Sequence, residues 1–173
     1  MKPPISVGII MGSDSDVPVV EKAKEVLEKF GIPFAATIRS AHRTPYDVQP
    51  IVTDWEVRGC QVFITAAGAA AHLAGAIASL TDKPVIAISL ATENQTAVNV
   101  NELDSLLSSV MMPTGIPVAT MAINGAANAA LFAIKILALN DSAIQQKLRE
   151  YRANLVSKTR EKMEKLKESG WPD

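Results

Sequence analysis

Short apolar runs alternate with stretches of helical periodicity along most of the chain. The first run, Ile5-Ser6-Val7-Gly8-Ile9-Ile10-Met11, is rich in β-branched residues and stops at a polar turn, Gly12-Ser13-Asp14-Ser15-Asp16. It reads as a strand feeding a helix start. From residue 17 to 30, Val19, Val20, Ala23, Val26, Leu27 and Phe30 recur at helical spacing, and Gly31 follows as a left-handed stop. A second run, 33–38, ends at Ser40-Ala41-His42-Arg43-Thr44-Pro45. There Thr44 can cap, and Pro45 can open, a helix reaching to about Arg58. Pro50 lies inside that helix and predicts a kink or a shortened first turn.

The third run, 61–65, enters a small-residue stretch from Ala66 to Gly75, and a helix follows to about Leu80. Residues 84–90 read as a fourth strand and 91–101 as a polar loop. A short helix starts near Asn101. Residues 117–123 read as a fifth strand, 125–139 as an alanine-rich helix and 142–169 as a charged helix; Ala126, Ala129, Ala130 and Ala133 fall on one helix face and are expected to permit close helix–helix contact between subunits. Strands alternating with helices imply a parallel sheet with right-handed crossovers and helices on both faces. The strands are apolar throughout rather than alternating, as expected when both faces are covered. Ligands of such sheets bind outside the carboxyl ends of the strands. Candidate chemistry is therefore sought after Met11, Ile38, Thr65, Leu90 and Ile123.

Composition narrows the function. The 173 residues carry 17 Lys+Arg against 18 Asp+Glu, which argues against a nucleic-acid binder. No apolar run approaches the roughly 18 residues of a membrane span, and the amino-terminal run is too short for a secretory signal. These features point to a cytoplasmic protein. Cys60 is the only cysteine, so no intrachain disulfide forms, and no Cys/His cluster has zinc spacing.

Both histidines, His42 and His72, follow predicted strands on the ligand edge. Histidine moves a proton most readily near neutral pH. The turn at 12–16 opens a helix, where free N–H groups and the dipole favour a phosphate. Its two aspartates oppose that charge, so one is expected to cap and the other to bind a sugar hydroxyl or a ring amine. Neither a Walker loop nor a dinucleotide fingerprint is present. Arg43 offers a fork of donors to a phosphate or carboxylate. Gly68 and the adjoining alanines allow close backbone approach to a ligand. Met111-Met112-Pro113 reads equally as a core plug or a lid.

Taken together, Met11-Gly12-Ser13-Asp14-Ser15-Asp16, Ser40-Ala41-His42-Arg43-Thr44-Pro45 and Ala70-Ala71-His72-Leu73 resemble the three signatures of the PurE family. Further similarity lies in Asp104-Ser105-Leu106-Leu107-Ser108, Gly115-Ile116-Pro117-Val118-Ala119-Thr120 and Ala126-Ala127-Asn128-Ala129-Ala130-Leu131. Residues 5–155 are covered, in order. Arg43-Thr44-Pro45 and Ala71-His72-Leu73 resemble the class I form. Class I members are mutases that convert 5-(carboxyamino)imidazole ribonucleotide to 5-amino-4-carboxyimidazole ribonucleotide in purine biosynthesis. The chain departs from the family pattern at Ala69, Ala74, Met111 and 88–101.

The resemblance implies a flavodoxin-like three-layer αβα sandwich, an α/β fold with a central parallel sheet and an extended C-terminal helix. It implies a catalytic unit at 1–155 and a helical tail at 156–173 that packs on a neighbouring subunit of a homo-octamer. No metal or organic cofactor is implied. His42 is the implied general acid and base. Ser13, Asp16, Ser40, Ala41, Arg43, Gly68, Ala71, His72 and Leu73 are the implied pocket for a phosphoribosyl-aminoimidazole substrate and carbon dioxide. Other readings are a carboxylase using free carbon dioxide, a paralogue acting on another nucleotide, and a non-catalytic flavodoxin-like module.

Overall fold

The five apolar runs become strands β1 (Val7–Met11), β2 (Phe34–Ile38), β3 (Val62–Gly68), β4 (Val85–Leu90) and β5 (Ala119–Met121). They form one parallel sheet in the order β2-β1-β3-β4-β5, the flavodoxin-like order. The computed structural model describes residues 2–91 and 100–171. Helices α1 (Val17–Phe30), α2 (Val48–Val57), α3 (Leu73–Ala78), α4 (Val100–Val110) and α5 (Ala126–Leu137) follow the successive strands, and α6 (Ser142–Glu168) ends the chain.

Strand alternation divides the core. Ile10, Phe63 and Ala87 pack with Val48, Val52 and Trp55 of α2 and Leu73, Ala74 and Ile77 of α3. Their strand neighbours Ile9, Ile64, Ile86 and Ile88 point to the opposite face and are equally buried. Both faces of β1, β3 and β4 are thus covered. The edge strands β2 and β5 are only partly buried. Trp55 stacks on Phe63 with ring centroids 6.4 Å apart. The Trp55 ring lies directly over Gly8, where an added Cβ would stand 2.8 Å from Cζ3. Cys60 is buried, and burial pushes its thiol pKa up to about 11.

Several expectations change. β3 runs three residues past Thr65, because Ala66, Ala67 and Gly68 continue the ladder onto Ile88, Ser89 and Leu90. β5 is confined to three residues. Pro50 falls in the first turn of α2, after a separate 3-10 turn at Pro45–Asp47, so the helix is shortened rather than kinked. Thr44 occupies the cap position, but its hydroxyl accepts from the Ser40 N–H at 3.0 Å instead of capping. Helix α4 already includes Val100, and residues 92–99 of the expected loop lie outside the described residues. Ala126, Ala129, Ala130 and Ala133, read as a face for helix–helix contact between subunits, are fully buried within this chain.

Two compact units are present, Met1–Ile136 and Leu137–Asp173. In the second, Asp141 caps α6 by accepting the Ala143 and Ile144 N–H groups at 2.9 and 3.0 Å. Among the described residues no helix is long and apolar enough to cross a membrane.

Candidate active site

In the sheet β1 has β2 on one side and β3 on the other, so the connections leaving β1 and β3 diverge at their carboxyl ends. A crevice opens at such a reversal. Here it is a cleft of about 510 Å³. Its walls are the turn at 12–16 with Pro18 and Val19, the loop at 40–42, residues 67–70 with Leu73, and Leu90 with Ala91.

The turn after β1 is a 3-10 helix at Asp14–Asp16 closed by a capping box. Asp16 Oδ2 accepts the Ser13 N–H at 2.9 Å, and Asp14 Oδ1 accepts the Ser15 N–H at 3.1 Å. These amides are engaged within the turn, so the expected phosphate cradle of free N–H groups is not formed by them. The acidic side chains themselves occupy it. The Ser13 hydroxyl donates to Asp14 at 2.9 Å and, with backbone donors, holds that carboxyl below its ordinary pKa. Asp16 behaves oppositely. Burial raises its pKa, against the opposing pull of the Ser13 N–H.

The loop after β2 is bonded to itself. Ser40 and Thr44 exchange backbone and hydroxyl contacts at 2.9 to 3.2 Å, and the Arg43 N–H donates to the Ser40 hydroxyl at 3.1 Å. The Arg43 guanidinium donates to the Gly12 carbonyl at 3.2 Å and joins this loop to the first turn. One donor is used there, and the rest of the fork is available to an anion. His42 lines the cleft, and its Nε2 lies 3.0 Å from His72 Nδ1.

The third wall is small and apolar. A Cβ on Gly68 would make only ordinary contacts at 3.6 Å with Leu90. Packing within the chain therefore does not require glycine there, and the missing side chain widens the cleft. Ala69 is held in left-handed backbone at φ 50°, a conformation that alanine adopts at a cost. The Ala71 N–H donates to the Ser108 hydroxyl of α4 at 3.1 Å. Met112 approaches Gly75 of α3, whereas Met111 is exposed, so the two methionines of that pair do different things.

Of the residues expected from the sequence, Ser13, Asp16, Ser40, Ala41, His42, Gly68 and Leu73 line the cleft. Arg43, Ala71 and His72 reach it through neighbours. Pro18, Val19, Leu90 and Ala91 line it as well. Leu90 and Ala91 carry a positional signal, being the carboxyl end of β4, but nothing in the sequence marks Ser108 as the support of Ala71. Among the described residues no group of three or more His, Cys, Asp or Glu side chains is placed to hold a metal ion.

Residues 6–158 match the family model described as AIR carboxylase. The chain belongs to the AIR carboxylase family. Members similar to it include the N5-carboxyaminoimidazole ribonucleotide mutase of Pyrococcus horikoshii, 51% identical over 95% of this chain and 90% of that one. The enzyme of the same name from Thermotoga maritima is 46% identical over 96% and 95% of the two chains. The phosphoribosylaminoimidazole carboxylase of Candida albicans is 45% identical over 96% of this chain, which spans 28% of that protein. The crystal structure of Treponema denticola PurE superposes with a TM-score of 0.82 at 32% identity, covering 96% of this chain and 99% of the other. The family's flavodoxin-like α/β architecture is the one described above.

Proposed function

We propose that this chain is an isomerase of purine biosynthesis that converts 5-(carboxyamino)imidazole ribonucleotide to 5-amino-4-carboxyimidazole ribonucleotide, in the cytoplasm and as a homo-octamer. The observation that carries this reading is the meeting of a proton-transfer side chain, His42, with a small apolar wall, Gly68 to Ala70, across one cleft. The high identity to relatives named as mutases over nearly the whole chain supports it.

The chemistry follows from that pairing. Protonated His42 gives its proton to the exocyclic nitrogen as the N–C bond to the carboxylate breaks, leaving carbon dioxide and the aminoimidazole. The ring carbon then attacks the carbon dioxide, and neutral His42 removes the proton from that carbon. One proton is given and one returned, so no net oxidant or reductant is needed. Help of this kind contributes ~10²- to 10⁴-fold. The wall at 68–70 keeps water from the released gas, and positioning makes recapture nearly unimolecular. Arg43 holds the phosphate, and Ser13 and Asp16 hold the ribose and ring.

Mixing the protein with the carboxyamino substrate, without added bicarbonate, and following absorbance tests this reading. Turnover is expected, and His42→Asn is expected to abolish it with substrate binding retained. Near-normal turnover in His42→Asn would remove that residue from the mechanism. The Candida albicans relative's name favours a second reading, carboxylation by free carbon dioxide. Turnover of the aminoimidazole with bicarbonate, and none of the carboxyamino substrate, would select it.

A further inference from the structure

The two histidines come from different connections, His42 after β2 and His72 before α3, yet their rings meet edge to face with centroids 5.0 Å apart. The contact is His42 Nε2 to His72 Nδ1 at 3.0 Å. His72 cannot drift easily. Its N–H donates to the Ala70 carbonyl at 2.8 Å, its carbonyl accepts from Ala76 at 3.0 Å, and both chain neighbours, Ala71 and Leu73, are buried.

A nitrogen–nitrogen separation of 3.0 Å accommodates one hydrogen, not two. When His42 carries its extra proton, both of its ring nitrogens bear hydrogen, so His72 Nδ1 must be the acceptor. The hydrogen of neutral His72 then resides on its Nε2. Among the described residues, Asp14 and Asp16 line the same cleft as His42, and Arg43 follows His42 in the chain.

Resting on the proposed carboxylate transfer, we propose that His72 is a positioning residue that holds neutral His42 as the Nε2–H tautomer. His42 Nδ1 is then the one nitrogen that first gives the proton to the exocyclic nitrogen and later takes it from the ring carbon. His42 need not flip between the two steps, because the other nitrogen stays bonded to His72 throughout.

The test compares wild type with His72→Leu, which removes the acceptor, and His72→Asn, whose amide oxygen stands near the position of Nδ1. The His72 side chain is exposed, so all three are expected to melt alike. Nitrogen-15 NMR of the histidine rings above their titration range should show the Nε2–H tautomer for wild-type His42 and a mixture in His72→Leu. The kcat of His72→Leu should fall at least about tenfold with KM nearly unchanged and an altered pH profile, and His72→Asn should recover most of that loss. An Nδ1–H tautomer in wild type, or an unchanged tautomer and kcat in His72→Leu, would overturn the proposal. If wild type fails to isomerise the substrate, the proposed function is lost. The tautomer measurement, made without substrate, still decides whether His72 sets the state of His42.

Discussion

The Asp16 carboxylate closes the first turn by accepting the Ser13 N–H at 2.9 Å, and it does so while buried and raised in pKa by that burial. One residue thus fastens the turn that forms one wall of the cleft and presents a carboxylate to it.

Linkage gives this a sign. A carboxyl whose folded pKa is raised above its unfolded value stabilises the fold fully below the unfolded value. That contribution is lost as pH climbs through the folded value. Ionised Asp16 is therefore held at some expense to the fold near neutral pH. Asp16→Asn keeps an oxygen that can accept from Ser13 and removes the charge. Its urea midpoint at pH 7 should equal or exceed wild type, with the advantage shrinking as pH falls through the titration of Asp16. Affinity for the ribonucleotide should drop. A variant clearly less stable at pH 7 would contradict this account.

Gly8 is fixed by Trp55. A methyl group at position 8 would run into the indole ring and stand 3.1 Å from Phe63 Cδ1. Neither ring has space to retreat, since Trp55 is 2% and Phe63 0% exposed. Gly8→Ala should cost about 1–3 kcal/mol, the usual range for overpacking, read as a lower denaturation midpoint. An unchanged midpoint would mean that the α2 face repacks freely.

Much of this was legible in the sequence, because the apolar runs and the polar turns carry independent signals. The turn at 12–16 and the His42 loop announce themselves by composition. The small residues at 66–68 gave no such signal. Alanine and glycine mark neither strand nor loop, and only the partners Ile88, Ser89 and Leu90 extend β3 through them. The alanine face of α5 suggested a subunit contact for the same reason: small residues permit close approach without saying to what. The meeting of His42 with His72 depends on two loop conformations and had no local sequence signal.

Arg43 joins two walls through the Gly12 carbonyl yet remains exposed. Its loss leaves no buried group unpaired, so the fold should tolerate Arg43→Ala. Substrate affinity should weaken by about 1.5–3 kcal/mol, the worth of a charge-assisted bond. Calorimetry measures this directly, and affinity equal to wild type would remove Arg43 from the phosphate site.

The long helix α6 offers the test of assembly. It spans Ser142–Glu168, and Leu155, Val156, Met163 and Leu166 remain about half exposed. Leu155, Met163 and Leu166 are spaced at 8 and 11 residues, which places them on one face. In proteins most helical stability comes from packing an apolar face rather than from propensity. In the proposed octamer a neighbouring subunit covers that face, so folding and assembly are linked. Deleting 156–173 removes Val156, Met163, Leu166 and Trp171. The particle mass from light scattering and the melting temperature should both fall, and turnover should fall with them if a neighbour completes the cleft. A truncated protein with wild-type mass and melting temperature would separate the tail from assembly. A fully active monomer would sink the shared-site arrangement while leaving the His42 chemistry untouched.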